Sequence, residues 1–169
     1  MILNIFNFAP NKNLQMIQRI QTLYLLIADL LIAILFFVPL AEIAGKDGHL
    51  YLLNYAGFQS EGTVGGTILI NPWPLQILIG AVVVGLLLII FQFNDRVRQI
   101  KFSYLAISLQ LILTGLICFY AWSGSNQLSG TFSLKTFCTF PLIAAVIIYL
   151  AIKGMVKDEN LVKSIDRIR

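Results

Sequence analysis

Charge is scarce in this chain. Only 12% of its residues are Asp, Glu, Lys or Arg, where soluble globular domains carry roughly a quarter, so a solvated surface wrapped around a buried core is excluded. Histidine is down to His49, and Asp47 beside it is too little for a metal site. The two cysteines, Cys118 and Cys138, form no Cys-x-x-Cys pair, which argues against thiol redox chemistry. Gly62-Thr63-Val64-Gly65-Gly66 lacks the lysine of a phosphate loop, no serine sits in a nucleophile elbow, and no two carboxylates converge from different helices. The sequence therefore assigns no catalytic, cofactor-binding or metal-binding residue, and an enzyme ranks last among the function classes.

What the chain has instead is apolar length. Hydrophobic residues make up 58% of it, gathered mostly into four runs at 23–44, 74–93, 102–122 and 137–153. A helix needs ~20 residues to span a bilayer, and only helices or closed barrels satisfy every backbone polar group in hydrocarbon. Continuous runs such as Ile77 to Phe93 lack the alternation of barrel strands. The expected fold is an all-α membrane protein: a four-transmembrane-helix bundle in a single domain, 1–169, with loops at 45–73 and 123–136 on one side.

Ten of the twelve basic residues fall on the other side: Lys12 and Arg19; Arg96, Arg98 and Lys101; and Lys153, Lys157, Lys163, Arg167 and Arg169. Lys46 and Lys135 alone lie opposite. Positive charge stays cytoplasmic, so both termini and the middle loop are expected inside. The net charge of +4 thus reads as topology and weak attraction to anionic lipid, with no nucleic acid implied. Met1 to Gln15 lacks the features of a signal peptide, and Met16 is a second candidate start.

The segment Met16-Ile17-Gln18-Arg19-Ile20-Gln21-Thr22-Leu23-Tyr24-Leu25-Leu26, followed by Phe36-Phe37-Val38-Pro39-Leu40-Ala41, resembles the opening of the small four-span membrane proteins of Gram-negative bacteria grouped as domain-of-unknown-function family 4293. The ending from Asp158 to Arg169 is similar to that family's ending, so the resemblance runs from Met16 to Arg169. It implies a multi-pass protein of the bacterial inner (cytoplasmic) membrane and brings no catalytic residue. Residues 1–15 depart from the pattern, as does Asp29, which stands where an apolar or small residue is expected.

Between the spans, the runs His49 to Phe58 and Thr63 to Ile70, separated by a turn at Gln59-Ser60-Glu61-Gly62, predict an extracytoplasmic hairpin, and Gly130 to Phe137 a third strand. This small sheet reads as a cap on the helices or as a docking surface exposing Tyr51, Tyr55 or Phe58. Asn71-Pro72-Trp73-Pro74 leads into the second span, with Trp73 and Trp122 as interfacial anchors.

Asp29 is the acid well inside a span, and intramembrane ionisable groups are candidate sites by default. Counted at 1.5 Å per residue, it and Gln110 lie at similar depths, roughly 10 and 12 Å from the cytoplasmic edge. Ser103, Gln110, Thr114 and Cys118 form a polar stripe on the third span. The candidate polar site is Asp29, Gln110, Thr114 and Tyr149. A protonated Asp29 bonded to Gln110 or Tyr149 would be a structural link, and a proton relay, an ion site or snorkelling are the alternatives. Cys118 and Cys138 are either packed free thiols or a disulfide. Ala81 and Gly85 form a small-xxx-small pair for a helix neighbour or a homodimer seam.

Beyond residue 153, Leu161, Val162, Ile165 and Ile168 recur at helical spacing opposite Lys163, Asp166 and Arg167. This amphipathic tail helix, 154–169, is a candidate docking element for a partner or for the inner face of the bundle. The leading expectation is a non-enzymatic scaffold or accessory subunit of a membrane complex, with membrane lipids and a protein partner or second copy as company. The alternative is a small transporter or lipid-binding protein using Asp29 and the third-span stripe.

Overall fold

The computed structural model describes residues 12–46, 48–60, 71–92 and 95–166. Helix α1 runs Lys12–Ala33 and tightens into a 3-10 turn at Ile34–Phe36. Helix α2 is Trp73–Phe91, α3 is Arg96–Gln127 and α4 is Phe140–Asp166. Three stretches, Trp73–Phe91, Arg96–Gln127 and Thr136–Asn160, are long and apolar enough to cross a membrane, whereas the apolar part of α1, Ile20–Phe36, is shorter.

The first apolar run, expected to continue to 44, stops being helical at Phe36. Pro39 has no amide hydrogen to extend the helix and biases Val38 away from helical geometry. The residues beyond it, Ala41–Ala44, become strand β1, which the hydrophobic run had concealed. The other strands are β2, Leu50–Asn54, β3, Gly57–Ser60, and β4, Thr131–Leu134. They form one antiparallel sheet in the order β3-β2-β1-β4, with Ala41 opposite both Leu53 and Leu134.

A hairpin turn falls at Tyr55-Ala56, between the paired Asn54 and Gly57, inside the run His49 to Phe58 that was expected to be a single strand; Gln59 and Ser60 of the expected turn belong to β3, and Glu61 and Gly62 lie outside the described residues. Gly57 has a φ of 134°, a conformation that costs glycine little, and it was the turn signal inside an otherwise strand-like run. The run Thr63 to Ile70 lies outside the described residues. Phe58 is fully buried, which removes it from any docking surface. Tyr51 is half-buried, and Tyr55 meets the ring of Phe36 edge-on at 5.4 Å.

Each helix buries one seam in alternating steps of three and four residues. On α2 it is Leu75, Ile79, Val82, Leu86 and Ile89; on α3, Gln99, Ser103, Ala106, Gln110, Leu113 and Ile117. Ala144, Ile148, Ala151, Met155 and Asp158 supply the same seam on α4, and Gln21, Leu25, Ala28 and Ile32 on α1. Such spacing keeps one face toward neighbours over many turns. The main contacts close a ring in which α1 packs on α2 and α4, and α3 packs on the same two. Ala81 is exposed and Gly85 half-exposed, with open space where a Gly85 Cβ would lie, so this pair does not serve as a close seam within the chain.

The sheet rests on the end of α3, which extends past the expected 122 to reach it. Gly124 is the contact point: a Cβ there would come within 2.8 Å of Ile43 Cδ1 and 2.9 Å of Phe58 Cε1. Helix α3 then ends in a Schellman arrangement, with Gly130 N–H donating to Ser125 O at 3.0 Å and Ser129 N–H to Asn126 O at 3.4 Å. Ser125 Oγ donates to the Gly130 carbonyl at 2.6 Å, and Glu42 pairs with Lys135 across the β1–β4 ladder.

Ser129 occupies the left-handed position of this cap with φ 47°, where glycine is favoured. Ser129→Gly is expected to stabilise the protein by about 0.5–1 kcal/mol. A lowered thermal midpoint in detergent would contradict that reading of the cap.

Candidate functional site

Polar groups on the inward seams divide into those with partners and those without. Gln21 Nε2 donates to Asp158 Oδ2 at 2.6 Å, a buried bond joining α1 to α4. The Gln21 side chain lies over Gly154, where a Cβ would sit 3.3 Å from Nε2. Neither end of this link stood out in the sequence, where Asp158 read as one of several tail charges. The seam spacing, 21-25-28 and 151-155-158, was the signal that both face inward.

Gln99 Nε2 donates to the Ile89 carbonyl at 3.1 Å, a second donor to a last-turn carbonyl of α2 that also accepts from Gln92 N–H at 3.2 Å. Ser103 Oγ donates to Gln99 O at 2.8 Å and Thr114 Oγ1 to Gln110 O at 3.0 Å, both back-bonds within α3. Two members of the polar stripe, Ser103 and Thr114, are thus satisfied by their own helix.

Asp29 and Gln110 remain. Gln110 is fully buried and Asp29 is 6% exposed, yet Asp29 Oδ1 and both amide atoms of Gln110 have no hydrogen-bond partner. The expected Asp29–Gln110 bond is therefore not formed. Tyr149, the other expected partner, is 53% exposed and lines an outward groove with Ile107 and Leu111.

Helix α4 serves as a ruler for the relative heights of Asp29 and Gln110. Gln21 lies beside Gly154 and Asp158, and Asp29 is eight residues further along α1, about 12 Å, which brings it level with the region around Ile148. Gln110 is adjacent in sequence to Leu111 and one turn from Ile107, whose groove partners on α4 include Ala145 and Tyr149. Both unpartnered side chains thus occupy roughly one level of the interior, where an unpaired polar group is costly.

Cys118 and Cys138 are both free thiols, Cys138 buried and Cys118 half-buried, so of the two alternatives the structure holds the packed thiols and not the disulfide. Among the described residues, no three His, Cys, Asp or Glu side chains gather as a metal site would require. Helix α4 passes residue 153 without a break and continues to Asp166. The side chains of Leu161, Val162 and Ile165, and all of Ile168, lie outside the described residues.

This is the class of helical proteins with several helices long and apolar enough to cross a membrane, here joined to a small antiparallel sheet. The chain belongs to the DUF4293 family, a domain of unknown function, whose model matches residues 17–168. No curated protein and no solved structure matches it.

Gln110→Met removes two unpartnered polar atoms at nearly constant volume. Thermal unfolding in detergent is expected to show a gain of about 1–3 kcal/mol. A comparable loss would mean that the amide has a partner in the native protein.

Proposed function

We propose that this chain is a four-span, non-enzymatic accessory subunit of a complex in the bacterial inner membrane. Its helices are inverted relative to a soluble protein: the inward seams carry Gln21, Asp29, Gln99, Ser103 and Gln110, while Ile77, Leu88, Phe91 and Leu105 are more than half exposed. An outward apolar face of this extent suits hydrocarbon. Trp73 and Trp122, both exposed and both at the sheet end, suit the interfacial belt there. The apolar part of α1 is only a few residues short of a full span, a mismatch that a bilayer absorbs at modest cost. The basic residues at the α2–α3 turn and on the far part of α4 favour a cytoplasmic location for that end.

The observation that carries the subunit reading is the length of α4. It runs about 20 Å beyond Lys153, further than a span requires, and offers an element on which a cytoplasmic partner docks. Native electrophoresis of mildly solubilised membranes is expected to show the chain in an assembly larger than its 18.9 kDa mass. Removing Leu161 to Arg169 is expected to release it from that assembly without unfolding the membrane part. An assembly of unchanged size would refute the docking role.

A second reading, a transporter or a small-molecule site, is favoured by the unpartnered Asp29 and Gln110 at one level of the interior. It requires the carboxyl. Asp29→Asn is then expected to abolish cellular function while the protein still folds and accumulates, whereas full function in the variant rules out a proton or ion role.

A further inference from the structure

Helices α2 and α3 leave between them an apolar cleft of about 370 Å³, open to the outward face. Its walls include Gly85, Leu88 and Phe91 on α2 and Phe102, Leu105 and Leu109 on α3. The cleft exists because side chains are missing in its middle: Gly85 has open space around the position of a Cβ, and Ala106 also lines it. From Val82 to Phe91 it follows roughly 14 Å of helix, the extent of a partial acyl chain and not of a globular ligand.

The α3 wall continues beyond the apolar part. Arg98, Phe102, Leu105 and Leu109 succeed one another in steps of four, three and four, so they share one face, and Lys101 stands one turn before Leu105. Side chains on a helix lean toward its N-terminus, which carries both bases away from the apolar cleft and toward the turn between α2 and α3. Arg98 Nε holds Asp95 Oδ2 at 2.8 Å, which offsets part of its charge, while Arg96 and Lys101 leave this end net positive.

Resting on the membrane reading above, we propose that the α2–α3 cleft is a binding site for an anionic phospholipid. One acyl chain lies along Gly85, Leu88 and Leu105, and the headgroup phosphate meets Arg98 and Lys101. The complementarity is in the sequence of environments along one face: an apolar trough ending at two cations, matched to a chain ending at a phosphate.

The test uses the full chain purified in neutral detergent, with phosphatidylglycerol, phosphatidylcholine and oleic acid of matched chain length as probes. Phosphatidylglycerol is expected to raise the thermal midpoint and to be retained in native mass spectra, while the other two do neither. In the double variant Arg98→Gln and Lys101→Gln, phosphatidylglycerol affinity is expected to fall about tenfold or more. Gly85→Phe, which fills the trough, is expected to abolish the lipid-induced shift with both bases still present; Gly85→Leu is the milder version if the larger one does not fold. Equal shifts with phosphatidylcholine or oleic acid, or variants that bind as the parent does, would overturn the site. Alkaline carbonate extraction separates the two levels: release of the parent chain from membranes defeats the membrane reading itself, whereas retention without lipid selectivity defeats the site alone.

Discussion

A polar group on an inward seam of these helices has to find its partner inside the protein, because a buried polar group left unpaired is costly. That constraint orders much of what the structure contains. Gln21 reaches Asp158 across α1 and α4, Gln99 takes up a terminal carbonyl of α2, and Ser103 and Thr114 turn back onto their own helix. Between these polar points the seams on α1, α3 and α4 include Ala28, Ala106, Ala121, Ala144 and Ala151, small side chains that let backbones approach and make close dispersion contacts. Asp29 and Gln110 stand out because they break the rule at one level of the interior.

The sheet answers the same constraint at the other end. Strand β1 follows α1 directly, and β4 lies between α3 and α4, so their pairing ties together chain segments about ninety residues apart. Gly124 makes the connection to the helices, since Ile43 and Phe58 fill the space a side chain would need. The backbone of Leu40 continues the ladder, donating to Leu53 O at 2.7 Å and accepting from Lys135 N at 3.0 Å. A hairpin alone would be marginal in water. Here β1 and β4 contact α3, and Phe58 of β3 reaches it beside Gly124.

Much of this was legible in the residues. Apolar length marked α2, α3 and α4, and strand-forming composition marked β2 and β4. The boundaries were less legible, because hydrophobicity does not distinguish a helix from a strand that continues it: Pro39 ended α1, and Gly57 followed a turn inside the run His49 to Phe58, which read as one strand. Ala81 and Gly85 carried a pattern common to helix contacts, yet nothing in a sequence states which face of an all-apolar helix turns inward. In α2 that face is set by Leu75, Ile79, Val82, Leu86 and Ile89, and Gly85 is left to open a cleft.

The sequence by itself determined the helical class, the charge asymmetry of the two ends and the family, because these follow from composition and order along the chain. Only the tertiary structure decided which polar residues meet. Depth can be counted from sequence at a fixed rise per residue, and Asp29 and Gln110 were counted to similar depths. Whether two side chains at one depth bond depends on the rotation of each helix about its axis, which packing sets. Packing joined Gln21 to Asp158 and left Asp29 and Gln110 unbonded.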